Sequence, residues 1–168
     1  MLRAHEPYPA LVIDRRWNIV MTNRAVAPFF AHVAPDLPRP PVNLLRLGLD
    51  PRGLAPPVVN LADVRAVFRA RITRQLVKAT DPELAALCEE LLTADPDPEN
   101  TTSLSIASDI VLPMVIRLGG REPRLFSTIT TFWTPMDITL DEVAIESCYP
   151  ADAESAAYFA PPGSDSRR

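Results

Sequence analysis

The sequence predicts an α+β domain, an antiparallel sheet with helices packed on one face. Three observations carry that expectation. Strand-like apolar runs lie near the start of the chain, at residues 10–21, and near its end, at 105–149. Amphipathic helical patterns fill the middle, at residues 60–92. Short polar turns join successive strands, which makes hairpins and therefore antiparallel neighbours.

The 168 residues fit one domain with a sizeable core. No stretch approaches the 18 or so apolar residues that a membrane-spanning helix needs. The start of the chain, with His5, Glu6, Pro7 and Pro9, has no apolar signal-peptide core, so a cytoplasmic location is expected. The net charge of −4 repels phosphate backbones, and nucleic-acid binding by this chain alone is not expected. Cys88 and Cys148 belong to no CxxC pair and read as small buried hydrophobes rather than a disulfide.

The elements follow in order. Ala10, Leu11, Val12 and Ile13 form a first strand, Asp14-Arg15-Arg16 a polar turn, and residues 17–21 (WNIVM) a second strand, together a hairpin. Thr22 or Asn23 can cap a helix that places Val26, Phe29, Phe30 and Val33 on one face, with Pro28 forcing a kink or an early end. The proline-rich stretch 35–41 is irregular, and residues 43–47 (NLLRL) make a helical turn ending at Asp50-Pro51. The main helix is expected over 60–79, capped by Asn60, with Leu61, Val64, Phe68, Ile72, Leu76 and Ala79 on one face. A second helix starts at Asp81-Pro82, proline at its first position, and buries Leu84, Leu87, Leu91 and Leu92. Residues 94–102 read as a loop, 105–118 and 124–133 as a long hairpin of strands, and 143–149 as the last strand. A short helix over 152–159 closes the domain, and 161–168 reads as a disordered tail.

Catalytic and cofactor signatures are not found. The five glycines (Gly48, Gly53, Gly119, Gly120 and Gly163) stand in no phosphate-binding pattern, and there is no GxSxG elbow. His5 and His32 lack a second ligand at metal spacing, and both are expected to be solvated. The expectation is a non-enzyme with no cofactor and no metal. Glu146 lies inside a strand and is expected to point to water from a half-exposed sheet. The arginines of the long helix read as a solvated face or, at Arg65 and Arg69, as partners for an anionic headgroup, with Arg46 a third candidate. A DNA-binding stripe is the weakest option, because no helix-turn-helix accompanies it. Phe29, Phe30, Phe68, Met114, Phe132 and Trp133 belong to an apolar inventory that either fills a core or lines a cavity.

Several blocks then point to one family. Residues 8–25 (YPALVIDRRWNIVMTNRA) resemble the opening of the ligand-binding domain of MmyB-like transcription regulators. The likeness continues in Asn43-Leu44-Leu45-Arg46-Leu47 with Asp50-Pro51, in residues 59–75 (VNLADVRAVFRARITRQ), and in Asp81-Pro82-Glu83-Leu84 with Glu89-Glu90-Leu91-Leu92. It extends to residues 126–152 (FSTITTFWTPMDITLDEVAIESCYPAD). The resemblance implies a PAS-like fold with a pocket between sheet and helices that accepts fatty acids or similar lipophilic molecules. It also implies a Cro/repressor-type helix-turn-helix ahead of the sensor in family members. Seven residues precede Tyr8 here, so 1–7 read as a leader or junction to an absent DNA-binding half, and 8–160 as the sensor domain.

The combined expectation is a non-catalytic sensor of a bacterial transcription regulator that forms a homodimer. An acyl chain would lie among Phe30, Phe68, Met114, Phe132 and Trp133, with its polar end near Arg46 or Arg65. The rivals are a dimerisation module with a filled core and a small enzyme using a buried polar residue such as Asp14 or Tyr149.

Overall fold

The computed structural model describes residues 2–92, 113–131 and 143–160. Within them, the strands are β1 (Ala10–Asp14), β2 (Ile19–Thr22), β3 (Met114–Val115), β4 (Arg124–Thr131) and β5 (Val143–Pro150). The helices are α1 (Ala27–Phe30), α2 (Leu44–Leu49), α3 (Leu61–Lys78), α4 (Pro82–Leu92) and α5 (Ala153–Phe159). The five strands form one antiparallel sheet in the order β2-β1-β5-β4-β3, the α+β plan expected. Helices α1, α2, α3 and α4 come between β2 and β3. The last strand in sequence, β5, thus lies in the centre of the sheet, with β1 on one side and β4 on the other.

Side chains alternate across a strand, so register decides what each face carries. Leu11 pairs with Glu146, and Glu146 with Ile129. Leu11, Ile13 and Leu125 turn to the helices and join Trp17, Phe29, Leu45, Val64, Ile72, Leu84 and Ile116 in the main core. Ala10 and Ile145 turn the other way, where Leu2 and Val12 pack on them. The first residues thus pack against the back of the sheet. A 3₁₀ turn over Leu2–His5 lies on the back of the sheet, and Leu2 is buried there. His5 is half-buried, not solvated as expected, with Nδ1 3.4 Å from the Ser147 hydroxyl and 3.3 Å from that of Tyr149.

The hairpin between β1 and β2 is organised by Asp14. Its carboxylate accepts from the backbone N–H of Arg16 and of Asn18 and from Asn18 Nδ2, at 2.8, 2.8 and 2.9 Å. This loop holds Trp17 at φ 65°, a left-handed conformation that a bulky residue adopts only when its surroundings enforce it. The enforcement is visible. The indole is buried, donates from Nε1 to Gln75 Oε1 at 3.1 Å, and meets Phe68 edge to face at 5.4 Å between centroids. Gln75 in turn donates to the Arg15 carbonyl at 2.6 Å. Arg16 reaches the other helix, bonding Asp81 at 3.0 Å and also Glu83. The hairpin loop is thereby tied to α3 and α4.

Several polar residues serve otherwise than their position suggests. Asn43 does cap α2, accepting from the N–H groups of Leu45 and Arg46 at 3.0 and 3.3 Å. Asp81 likewise accepts from Glu83 and Leu84 ahead of α4, at 3.0 and 3.2 Å. Asn60, by contrast, makes no side-chain cap on α3. Its amide bridges to β3, accepting from Val115 N–H at 2.9 Å and donating to the Pro113 carbonyl at 3.0 Å. Asn23 also makes no cap and instead ties β1 to the N-terminal segment, through Ala10, Leu2 and Tyr8. The helix expected over 23–33 is a 3₁₀ turn, Arg24–Val26, running into the single turn of α1, which carries Pro28 near its start. Of the strand expected over 105–118, only Met114–Val115 is a strand among the described residues, and 105–112 fall outside them, as do the loop over 94–102 and the tail over 161–168.

Candidate functional site

The helices do not lie flush on the sheet. A pocket of about 160 Å³ separates them, walled by α3, α2, α1 and the strands β1, β3, β4 and β5. At roughly 10–15 Å³ of such space per water, this is room for about ten waters. Its volume is close to the roughly 150 Å³ of a cavity that takes up a benzene-sized guest, and smaller than the pockets of about 300–1,000 Å³ that hold drug-sized ligands.

The wall is mostly aliphatic and aromatic. α3 contributes Val64, Val67, Phe68 and Arg71, which recur at three, four and seven residues and so share one helix face. α2 contributes Leu44, Leu47 and Gly48, and α1 contributes Phe29. The sheet supplies Leu11, Leu125, Ser127, Glu146 and Cys148, and Met114 comes from β3. Phe68 is held in place from behind by Trp17, so the strained hairpin loop positions one wall of the pocket.

One polar pole interrupts this surface. Glu146 is at the middle of the central strand, and its side chain is only 8 % exposed. The expectation that it faces water is therefore corrected. Pairing with Leu11 on one side puts Glu146 on the helix-facing surface, because β5 is covered by both neighbours and by α3. Its Oε1 stands 3.8 Å from Arg71 Nη1, a long ion pair, and Arg71 is itself 26 % exposed. Its Oε2 is buried with no hydrogen-bond partner among the described residues. Burial pushes the Glu146 carboxyl above its ordinary value, opposed by the Ser127 hydroxyl beside it and by the charge of Arg71. The Cys148 thiol, also on the wall, is pushed far up by burial and then by Glu146, so it is inert as a nucleophile.

The residues singled out in the sequence are distributed unevenly around this pocket. Phe68 and Met114 line it. Phe30 packs half-buried against the core, and its neighbour Phe29 is the one on the wall. Phe132 and Trp133 lie outside the described residues. Arg46 is turned away and gripped by Glu90 through two parallel bonds of 2.7 Å on the surface. Each partner of that pair holds the other charged, the guanidinium raised and the Glu90 carboxyl lowered, first through the hydrogen bond between them. Arg65 is half-buried and is not on the pocket wall. Arg69 donates to the Leu92 carbonyl at the end of α4. Among the described residues, the cation that does reach the pocket is Arg71. The spacing Val64–Phe68–Arg71 carries that signal, since all three project from one face of α3.

Neither residue suggested for catalysis is in the pocket. The Asp14 carboxylate is consumed by its own loop. Tyr149 packs against His5 and Tyr8, at centroid distances of 6.5 and 6.1 Å, away from the Glu146 side of the strand. No cluster of three or more metal-binding side chains occurs among the described residues. A second hollow, of about 320 Å³, lies between β4 and α5, but Arg121, Glu122, Arg124, Asp152 and Glu154 border it. With only Val115, Pro123 and Tyr158 among those charges it offers a lipophilic guest little to bury against, so the smaller apolar pocket is the candidate site.

Comparison with known proteins agrees with this geometry. The family model of the MmyB-like transcription regulator ligand binding domain matches residues 1–160. The chain belongs to that family. It is thus the ligand-binding domain of a transcription regulator, and the match takes in the N-terminal turn that packs behind the sheet. No curated protein and no solved structure matches the chain. No helix among the described residues is long and apolar enough to cross a membrane.

Proposed function

We propose that this domain is a non-catalytic cytoplasmic sensor that takes a fatty acid or a similar lipophilic molecule into the pocket beneath α3. The observation that carries the reading is the apolar pocket itself, open between sheet and helices in a member of a ligand-binding family. An acyl chain there would contact Val64, Phe68, Met114 and Leu125, and each buried methylene would contribute about 0.8 kcal/mol. A guest of this kind acts by its differential affinity for two packings of the helices on the sheet. Such a shift would alter the spacing of helix-turn-helix domains attached to the sensor in a two-fold regulator.

Homodimerisation belongs to the same reading. It is supported by the edge strand β2, on which the successive residues Val20 and Met21 are both exposed. Analytical ultracentrifugation should then give a dimer at micromolar concentration, and a monomer at all concentrations would remove this part.

The test of the whole is native mass spectrometry of the purified protein, with lipid extraction and thermal melts against an acyl-chain series. A co-purifying or added lipophilic molecule at one per chain, with a raised melting temperature, is expected. Absence of bound lipid together with unshifted melts across the series would favour a dimerisation module with no ligand.

A further inference from the structure

The polar pole of the pocket has a chemistry of its own. A carboxylate occupies the central strand of the sheet, where a hydrophobic residue would pack without penalty. Its Oε2 is buried and has no hydrogen-bond partner among the described residues, although the Ser127 hydroxyl lies beside the same carboxylate. Its attraction to Arg71 is long, at 3.8 Å, and the Arg71 side chain keeps about a quarter of its surface in solvent. The hairpin carboxylate and the caps of α2 and α5, by contrast, accept close hydrogen bonds. An unsatisfied acceptor on the wall of an apolar pocket is a place for a donor that arrives with the guest.

We propose that Glu146, set beside Arg71 and Ser127, is the headgroup receptor of the pocket, and that it takes a lipophilic ligand whose polar end donates a hydrogen bond, a hydroxyl or an amide N–H, in preference to a carboxylate. This rests on the reading of the pocket as a ligand site, and within that reading it favours the similar lipophilic molecules over an ionised fatty acid. A hydroxyl there completes the coordination of Oε2 and leaves the Arg71 pair intact. An entering carboxylate instead sets two anions around one guanidinium inside an apolar wall. One of them must then take up a proton or remain outside. The arrangement therefore attracts one head group and repels the other.

The experiment is calorimetric titration of the whole chain with 1-octanol and with octanoate at pH 8, on the wild type and on Glu146→Gln. The wild type is expected to bind 1-octanol at least tenfold more tightly than octanoate. Glu146→Gln, which keeps the shape and removes the charge, is expected to narrow that ratio to within about threefold by improving octanoate. The wild-type comparison stands even if the variant does not fold. Equal binding of the two probes, or tighter octanoate, overturns the headgroup assignment and leaves the ligand pocket standing. Failure of both probes to bind overturns the pocket reading as well.

Discussion

Replacing Glu146 by glutamine should make the protein more stable at pH 8 and leave it nearly unchanged at pH 4. Glutamine has the same shape and no charge, so it isolates the carboxylate. Burial raises the folded-state value of this carboxyl above its ordinary 4.5. The folded chain therefore holds the proton more readily than the unfolded chain does. Stability associated with Glu146 is fully present below about 4.5 and is lost as the pH climbs through the raised folded value. A buried ion costs several kcal/mol and an unpaired neutral amide about 1–3 kcal/mol, and with the part that the long Arg71 pair recovers the net gain from glutamine is about 1–3 kcal/mol. Arg71, a quarter exposed, stays hydrated when its partner is gone. For a chain of this size each kcal/mol moves the melting temperature by about 2–4 °C, so a rise of about 2–12 °C is expected at pH 8. Urea titrations followed by circular dichroism at pH 4 and pH 8 measure the effect directly. A variant less stable than the wild type at both pH values would refute the reasoning, because it would make Glu146 a satisfied structural partner.

Other substitutions separate the pocket from the surface. Arg46→Ala should cost less than about 1 kcal/mol in denaturation and leave acyl-chain affinity unchanged, since the Arg46–Glu90 pair is solvent-exposed and off the pocket wall. Arg71→Met should alter probe affinity in calorimetric titration by fivefold or more, because Arg71 is the cation on the wall. Gly53→Ala should destabilise by about 1–3 kcal/mol in urea, as a Cβ there would come within 2.3 Å of the Leu47 carbonyl oxygen. Gly48→Ala in α2 meets no atom within 4 Å and should raise stability by up to about 1 kcal/mol through helix propensity.

Much of the fold was legible because its signals are local. The hairpin of β1 and β2 follows from an apolar run interrupted by Asp14-Arg15-Arg16, and α4 from a proline at its first position behind a capping aspartate. The pocket floor was legible only in part. Phe68 and Met114 could be named from their size and position, but Arg71 was passed over for Arg65 and Arg69. The long helix carries arginines on several faces, and the choice between them depends on helix rotation. Glu146 was misjudged for a different reason. Alternation in a strand fixes which residues share a face, not which face is covered, and β5 is central only because β1 and β4 flank it. Asn23 and Asn60 show the same limit, being good caps by residue type and spent instead on long-range bridges.

The most direct test of the account is the position of a bound chain. Isotope-filtered nuclear Overhauser measurements on the protein with a ¹³C-labelled eight-carbon alcohol report which side chains lie within about 5 Å of the guest. Contacts from the chain methylenes to Val64, Phe68, Met114 and Leu125 are predicted. Contacts confined to the exposed Val20, Met21 and Val77, with none to those four, would contradict it.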